Sequence, residues 1–264
     1  MGRMTQVSAF FPAYNEEGNV ERMCVSLKAI LPLLAEDYEI IVVNDGSRDR
    51  TGEIAERLAG EDNRVRVIHH ERNLGYGAAI RSGIEASRKD YLFFTDGDGQ
   101  FDVSQLALFV PHISNHDAVI GYRLNRQDNL IRKANAWAWN QLVRLMFGLK
   151  VRDIDCAFKL FHQKVFRQID LESSGAMIST EMLVRMKKNG FTWMEVGVLH
   201  SPRRAGQQTG ADIRVILRAF KELFQFYRKT HARQGHAKHE NRDPHHAPSP
   251  PEGADEGGGK EKTG

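Results

Sequence analysis

Two aspartates one residue apart, Asp96 and Asp98, follow directly after an apolar run typical of a buried strand, Tyr91–Phe94. Alternate strand residues point to opposite faces, so the two carboxylates converge only if the chain turns there. Gly97 and Gly99 permit such a turn, because glycine accepts positive φ without strain. Close carboxylates repel unless a proton or a cation lies between them, and Mg²⁺ or Mn²⁺ carrying nucleotide phosphates suits such oxygen ligands. The spacing therefore predicts a metal site.

The alternative for this loop is an ordinary turn. Asp and Gly are favoured turn residues, and an Asp-Gly-Asp-Gly sequence alone is more often a turn than a metal site. Its position favours the metal, because ligands of open α/β sheets bind beyond the carboxyl ends of the strands, where this loop falls.

Short apolar runs alternate with segments of helical spacing along the first half of the chain. Strands that alternate with helices of this length predict βαβ units, and hence an α/β fold with a Rossmann-like, mostly parallel sheet flanked by helices. Right-handed crossovers would place the loops after these strands at one edge of the sheet. The predicted strands cover 7–11, 39–43, 65–68, 91–95 and 118–121, and the predicted helices cover 17–31, 51–59, 77–88 and 104–113.

The loops at this edge predict a nucleotide site without a glycine-rich phosphate cradle. The first loop lacks the G-x-G-x-x-G sequence that a dinucleotide site requires, and the acids Glu16 and Glu17 there would repel phosphate. These acids, like Asp45 after the second strand, can instead accept hydrogen bonds from a base or a ribose. Residues 75–77 lack a third glycine and follow the wrong strand. A cation at the Asp96/Asp98 loop must then neutralise the diphosphate.

The second half of the chain is less regular. It predicts a helix over about 130–147, an apolar segment at 156–161, a helix near 180–189 and a strand near 192–199. We expect these parts to cover the open edge and to supply the pocket of a second substrate.

The C-terminal region has two distinct compositions. Residues 211–230 predict a basic amphipathic helix, which either docks on the core or lies on an anionic membrane surface. Residues 231–264 are rich in His, Pro, Gly and charge, and they predict a disordered tail.

Composition narrows the class of protein. A chain of 264 residues with 41% apolar residues can bury one large core or at most two small ones, and its net charge of +3 gives no footprint for nucleic acid. The sequence has no signal-peptide pattern and no run near the roughly 18 apolar residues that a membrane span needs. Cys24 and Cys156 form neither a disulfide framework nor a zinc set. We expect a cytoplasmic protein.

Four segments, in this order, resemble the motifs of family-2 glycosyltransferases: 12–16, 42–51, 73–77 and 96–100. The resemblance covers about residues 5–229 and is strongest to the branch that contains dolichyl-phosphate mannosyltransferase and bacterial polyprenyl-phosphate sugar synthases. It implies a GT-A fold over 1–230. The nucleotide-sugar half would be about 1–123, the acceptor half about 124–230, and the tail 231–264.

The resemblance also implies a role for each matching residue. Arginine suits phosphate because its planar fork pairs with two oxygens. The implied donor-site residues are Pro12, Tyr14, Glu16, Val43 and Asp45 around the base and ribose, Asp96 and Gly97 in the loop, and Arg123 and Arg203 on phosphate. The implied ligands of Mg²⁺ or Mn²⁺ are Asp98 and Gln100, with Asp96 contacting ribose or metal-bound water.

The implied reaction is a metal-dependent, inverting transfer of a sugar from GDP-mannose or a UDP-sugar to a polyprenyl- or dolichyl-phosphate lipid. Metal at Asp98, helped by Arg203, would neutralise the charge that develops on the leaving diphosphate. A hydroxyl acceptor is the alternative, and it would need a general base, for which Asp155 and Glu181 are candidates. Each could equally be a helix cap or the partner of a buried Arg. Cys-Ala at 156–157 and Gln-Thr at 208–209 depart from the mannosyltransferase pattern and leave the identities of the sugar and of the lipid open.

The sequence disfavours two further classes of protein. A nucleotidyltransferase would need a glycine-rich first loop followed by a lysine, and the sequence has neither. A non-catalytic nucleotide-sugar-binding module would leave the metal loop unused. The presence together of Asp96, Asp98, Gln100, Arg123 and Arg203 argues against such a module.

Overall fold

The computed structural model describes residues 3–124, 130–202 and 220–230, with the backbone alone for 130–133. Within these ranges, seven strands form one sheet in the order β3-β2-β1-β4-β6-β5-β7, and β6 runs antiparallel to both of its neighbours. The strands are β1 Met4–Ala13, β2 Ala35–Asn44, β3 Val65–His69, β4 Tyr91–Thr95, β5 Ala118–Leu124, β6 Phe158–His162 and β7 Trp193–Leu199. The helices are α1 Val20–Leu34, α2 Thr51–Glu61, α3 Tyr76–Ala86, α4 Val110–Ile113, α5 Leu130–Phe147 and α6 Ile178–Lys188.

The predicted α/β class and mostly parallel sheet are confirmed. β1 and β2 are buried along nearly their whole length, as expected of parallel strands covered on both faces. At the centre, the Phe10 ring of β1 stacks on that of Phe94 in β4, with centroids 5.5 Å apart. On the same side, α3 approaches so closely that a Cβ at Gly83 would overlap the Phe10 ring.

The predicted helix over 104–113 is wrong in type. The chain forms a 3₁₀ segment, Val103–Leu108, and then the four-residue α4. Pro111 supplies the physical reason, because it has no N–H to donate to the carbonyl of Ala107 and so cannot continue an α-helix. Asp102 starts the 3₁₀ segment by accepting a hydrogen bond from Ser104 N at 2.9 Å.

The register brings the polar loops to one edge of the sheet. Ala13 at the end of β1 pairs with Asn44 at the end of β2, which pairs with His69 at the end of β3. Thr95 at the end of β4 pairs with Phe158 at the start of antiparallel β6. The turn that precedes β6 therefore lies at the same edge as the Asp96/Asp98 loop. β6 thus brings residues of the second half to the site.

Two compact units are distinguished along the chain, Met1–Phe226 and Tyr227–Gly264. The first contains the sheet, and its residues 220–226 are helical. Of the second, the structure describes only residues 227–230, which are also helical. In the described portion of the chain, no helix combines the length and apolar character needed to cross a membrane.

Candidate functional site

The Asp96/Asp98 loop is pressed against the end of β1. A Cβ at Gly97 would lie 2.5 Å from Pro12 O, so only glycine fits at this point without a shift of the backbone. Gly99 has φ +70°, which favours glycine. Asp98 Oδ1 accepts a hydrogen bond from Gln100 N at 3.0 Å, and Asp96 Oδ1 accepts one from the Tyr76 hydroxyl at 3.0 Å. The glycines therefore let a tight turn carry both acids beside β1.

The electrostatics of this loop fit a divalent cation. Burial and the charge of Asp98 raise the pKa of Asp96 above its usual range, against the opposing effects of Tyr76, Arg123 and Lys159. Burial and the charge of Asp96 likewise raise the pKa of the Tyr76 phenol. A cation between the two carboxylates would remove their repulsion. The described residues contain no group of three or more His, Cys, Asp or Glu able to hold a metal; Mg²⁺ commonly takes one or two carboxylates plus substrate phosphates.

The loops after β1 and β2 are laced together by side chains. Asn15 has φ +55°. Its backbone N–H donates a hydrogen bond to Ser47 Oγ at 3.0 Å, and its side-chain Oδ1 accepts one from the backbone N–H of Arg48 at 2.8 Å. The amide of Glu16 donates to Thr51 Oγ1 at 2.8 Å. Glu16 itself is buried, whereas the Tyr14 ring is exposed. These bonds hold together the two loops that carry the predicted base and ribose region, and Tyr14 in the first of them is exposed.

Val43 and Asp45 are both buried at the carboxyl end of β2. The Asp45 carboxylate accepts hydrogen bonds from His70 Nδ1 at 2.7 Å, Leu74 N at 2.8 Å and Gly75 N at 3.0 Å. It therefore holds the loop before α3. Val43 is fully buried in the core, backbone included. The donor roles assigned to both remain predictions.

The N-terminus of α3 is already capped. Ser174 O accepts the amides of Gly77 at 2.9 Å and Ala78 at 3.3 Å. These are the donors that a phosphate cradle at 75–77 would need. The geometry agrees with the interpretation that this glycine pair does not bind phosphate.

Arg123 is held in place by Asp153. Its Nε and Nη2 donate to the two carboxylate oxygens at 2.6 and 2.8 Å, and both side chains are largely buried. Burial lowers the pKa of Arg123, but the hydrogen bonds and charge of Asp153 outweigh burial and raise that pKa above its ordinary value. Asp153 thus keeps the Arg123 guanidinium charged and fixed in orientation, and the charge of Arg123 acts on Asp96. The predicted phosphate contact thus has an oriented guanidinium.

The two candidate bases lie in opposite environments. Asp155 is exposed in the turn before β6, and its charge acts on Tyr76, Arg123 and Lys159. Glu181 is 1% exposed and accepts hydrogen bonds from backbone amides and from Arg185 Nε. The geometry of Glu181 matches the buried-Arg alternative. Asp155 is the candidate that a substrate can reach.

The predicted ligand Gln100 is tied to the second half. Its Nε2 donates to Ser201 O at 2.9 Å, and Ser201 N donates to Gln100 O at 2.9 Å. These bonds join the Asp96/Asp98 loop to the segment that leads to Arg203. Arg203 itself lies outside the described residues, as do 211–219 of the predicted helix and the 231–264 tail.

Lys159 is a site residue that the sequence interpretation missed. It is fully buried on β6, where its Nζ donates to Ile154 O at 3.2 Å and to Cys156 O and lies 5.5 Å from the Phe94 ring centroid. Burial lowers its pKa, and the charges of Asp155 and Asp96 act against that effect. Lys159 therefore shapes the turn that carries Asp155. A lysine within an otherwise apolar strand was the available signal.

Cys156 behaves as a packing residue. It is fully buried, and burial raises the pKa of its thiol to about 12. A thiol in this environment stays protonated at neutral pH, which does not favour a nucleophile.

These features define an α/β protein with a mostly parallel sheet and an acidic pair at its strand ends. The family model described as glycosyl transferase family 2 matches residues 8–172, and the chain belongs to this family. The predicted family and its GT-A-like α/β fold are confirmed.

Relatives and a solved structure support the membership. Glycosyltransferase AglD of Haloferax volcanii is 38% identical over 210 residues, covering 75% of this chain and 33% of that protein. The dodecaprenyl-phosphate galacturonate synthase of Rhizobium johnstonii is 30% identical over 170 residues, covering 63% and 50%. The chain thus spans from a third to a half of these relatives.

The structural comparison concerns glucosyl-3-phosphoglycerate synthase from Mycobacterium tuberculosis, solved with Mn²⁺, UDP and glucosyl-3-phosphoglycerate. It aligns with a TM-score of 0.59 at 20% identity, over 78% of this chain and 74% of that one. At this identity the likeness concerns the fold alone.

Proposed function

We propose that the chain is a metal-dependent, inverting glycosyltransferase that moves a sugar from a nucleoside-diphosphate-sugar to a polyprenyl-phosphate acceptor. The observation that carries the proposal is the Asp96/Asp98 pair, placed beside the laced loops after β1 and β2. The names of the relatives support the lipid-phosphate acceptor, since one of them is a dodecaprenyl-phosphate galacturonate synthase. The Mn²⁺ and UDP in the structural neighbour support the donor and the cofactor.

Asp98 and Asp96, helped by the Gln100 side chain, would hold Mg²⁺ or Mn²⁺, which supplies charge neutralisation to the departing diphosphate. Arg123, oriented by Asp153, adds a fixed positive charge at the same edge. Tyr14 and the loop at Glu16 would take the base and ribose.

The bond changes of the proposed transfer are those of one displacement. An acceptor oxygen forms a bond to the anomeric carbon while the bond from that carbon to the diphosphate breaks, and the nucleoside diphosphate leaves with the electron pair. A lipid phosphate is already anionic and gives up no proton. A hydroxyl acceptor would have to lose one, and Asp155 is the exposed carboxylate able to take it. The same donor site serves both acceptors.

A ligand screen tests the donor half of the proposal. UDP or GDP is expected to raise the melting midpoint in the presence of Mn²⁺, by an amount equivalent to about 2.7 kcal/mol at a hundredfold excess over Kd. EDTA should reverse the shift, because the cation joins the carboxylates to the diphosphate. Differential scanning fluorimetry with UDP-sugars and GDP-sugars measures both effects. A melting midpoint that neither UDP nor GDP changes in the presence of Mn²⁺ would contradict the proposal.

An acceptor assay separates the two candidate reactions. Sugar transfer to a short-chain polyprenyl phosphate, measured with the donor found in the screen, supports the lipid acceptor. Transfer to hydroxyl compounds alone, with loss of activity in Asp155→Asn, would replace it by the alternative.

We further propose peripheral contact with the inner face of the cell membrane through exposed apolar side chains of two helical segments, Trp137 and Leu145 of α5 and Phe220 and Phe224 of residues 220–230. The two helical segments pack together through Trp139 and Phe220, whose ring centroids lie 5.4 Å apart. Trp137 and Phe224 are nevertheless 66% and 64% exposed, and the exposed cations Arg144 and Lys221 lie on the same segments. Aromatic and basic side chains together favour an anionic bilayer surface.

Co-sedimentation with liposomes that contain anionic lipid tests this contact. Phe224→Ser, or neutralisation of Lys221 together with the predicted helix residues Arg214 and Arg218, is expected to release most of the protein into the supernatant. Leu33→Ser is the matched control, because Leu33 is a similarly exposed apolar residue on α1. Equal sedimentation of all variants would contradict membrane contact through these two helical segments.

A further inference from the structure

A short loop, residues 172–175, connects α6 to the Asp96/Asp98 loop through a chain of contacts. We call residues 172–175 the brace. Its backbone amides are held from one side by Glu181. The Glu181 carboxylate accepts Ser173 N at 2.8 Å and Glu172 N at 3.1 Å, while Arg185 Nε donates to it at 2.8 Å. A buried carboxylate with this many donors is a fixed anchor.

The carbonyls of the brace face the start of α3. Ser174 O caps Gly77 N and Ala78 N. A Cβ at Gly77 would lie 2.6 Å from Ser173 O and 2.7 Å from Gly175 O, and one at Gly75 would lie 2.7 Å from Ser174 O. The two glycines are therefore needed for close contact with the brace. This contact accounts for a glycine pair that a phosphate does not use.

Tyr76 lies between these glycines, and its hydroxyl donates to Asp96 Oδ1 at 3.0 Å. The loop that leads to Tyr76 is held from the other side by Asp45, through Leu74 N and Gly75 N. Tyr76 is thus fixed by one anchor in the first half of the chain and by the brace in the second.

We propose that Glu181 is a positioning residue for the metal site, acting through the brace and the Tyr76 hydroxyl on Asp96. This inference rests on the proposed function for the identity of the metal site. In this role Glu181 is not a general base. It orders the brace, which fixes Tyr76 and thereby orients the Asp96 carboxylate. Outer partners of metal ligands commonly change metal affinity by 10- to 100-fold.

A double-mutant cycle on Mn²⁺ affinity tests the inference. Glu181→Gln and Tyr76→Phe are each expected to weaken Mn²⁺ binding about 10-fold, measured by electron paramagnetic resonance with excess UDP and, separately, with excess GDP. In the Tyr76→Phe background, Glu181→Gln should weaken binding little further. Independent distant sites would instead give additive effects. Glu85→Gln, the same substitution on the exposed face of α3, is the control and should bind Mn²⁺ as the unmodified protein does.

Additive effects, or unchanged Mn²⁺ affinity in folded Glu181→Gln, would overturn the inference. Hydrogen exchange on the unmodified protein provides a measurement that needs no variant. Coupling is reciprocal, so Mn²⁺ with nucleotide is expected to slow exchange of the amides at Glu172, Ser173 and Gly77. Unchanged exchange there would also overturn it. If the unmodified protein binds no Mn²⁺ with either nucleotide, the proposed function itself fails, a result distinct from Mn²⁺ binding that ignores Glu181.

Discussion

Asp98→Asn is expected to reduce sugar transfer by about 10²- to 10³-fold while the protein stays folded, because the change removes a negatively charged ligand of the cation that neutralises the diphosphate. Asparagine keeps an oxygen that can accept the Gln100 amide, so the turn geometry should survive. The loss should appear in both kcat and kcat/KM, since the charge on the leaving group develops in the transition state. Initial rates across a range of Mn²⁺ concentrations provide the measurement.

Asp102→Asn is the matched control for this variant. Asp102 is exposed, follows Asp98 by four residues and caps the 3₁₀ segment, a role that asparagine can also fill. Its rate should equal that of the unmodified protein. Near-normal transfer in Asp98→Asn at low Mn²⁺ would contradict the metal assignment and return the loop to an ordinary turn.

Local patterns predicted most of the strands and their common edge. The apolar runs of β1, β2 and β4 are continuous because these strands are buried on both faces, and parallel order follows from the helices between them. The segment 104–113 differs from its prediction. Its amphipathic pattern predicts one α-helix, but Pro111 restricts the α-helix to the four residues of α4.

The contacts within the site were much harder to predict. Asp45 meets Leu74, and Arg123 meets Asp153, across 29 and 30 residues of sequence. Such pairs depend on sheet order, which spacing does not encode. The sequence therefore indicated acids near a nucleotide but could not separate ligands from anchors. Glu181 illustrates this limit. The sequence makes it a candidate base, whereas the structure shows that its carboxylate accepts hydrogen bonds from Ser173 N and Arg185 Nε.

The pair of Arg123 and Asp153 predicts the largest effect on stability. Asp153→Ala is expected to lower the free energy of unfolding by about 3–5 kcal/mol, because it leaves a buried guanidinium without its bidentate partner. Chemical denaturation followed by circular dichroism measures the loss. Glu53→Gln serves as the control, since the Arg50–Glu53 pair is exposed on both sides and its removal should leave the midpoint unchanged.

Replacing both partners separates the cost of an orphaned charge from the value of the pair. The double variant Arg123→Met with Asp153→Leu should be more stable than Asp153→Ala, because no buried charge remains. Its transfer rate should nevertheless stay low, since the oriented positive charge at the site is gone. Recovery of stability without recovery of activity would show that Arg123 is kept for the positive charge it presents at the strand ends. Equal stability of the double variant and Asp153→Ala would contradict the assignment of the loss to the stranded Arg123.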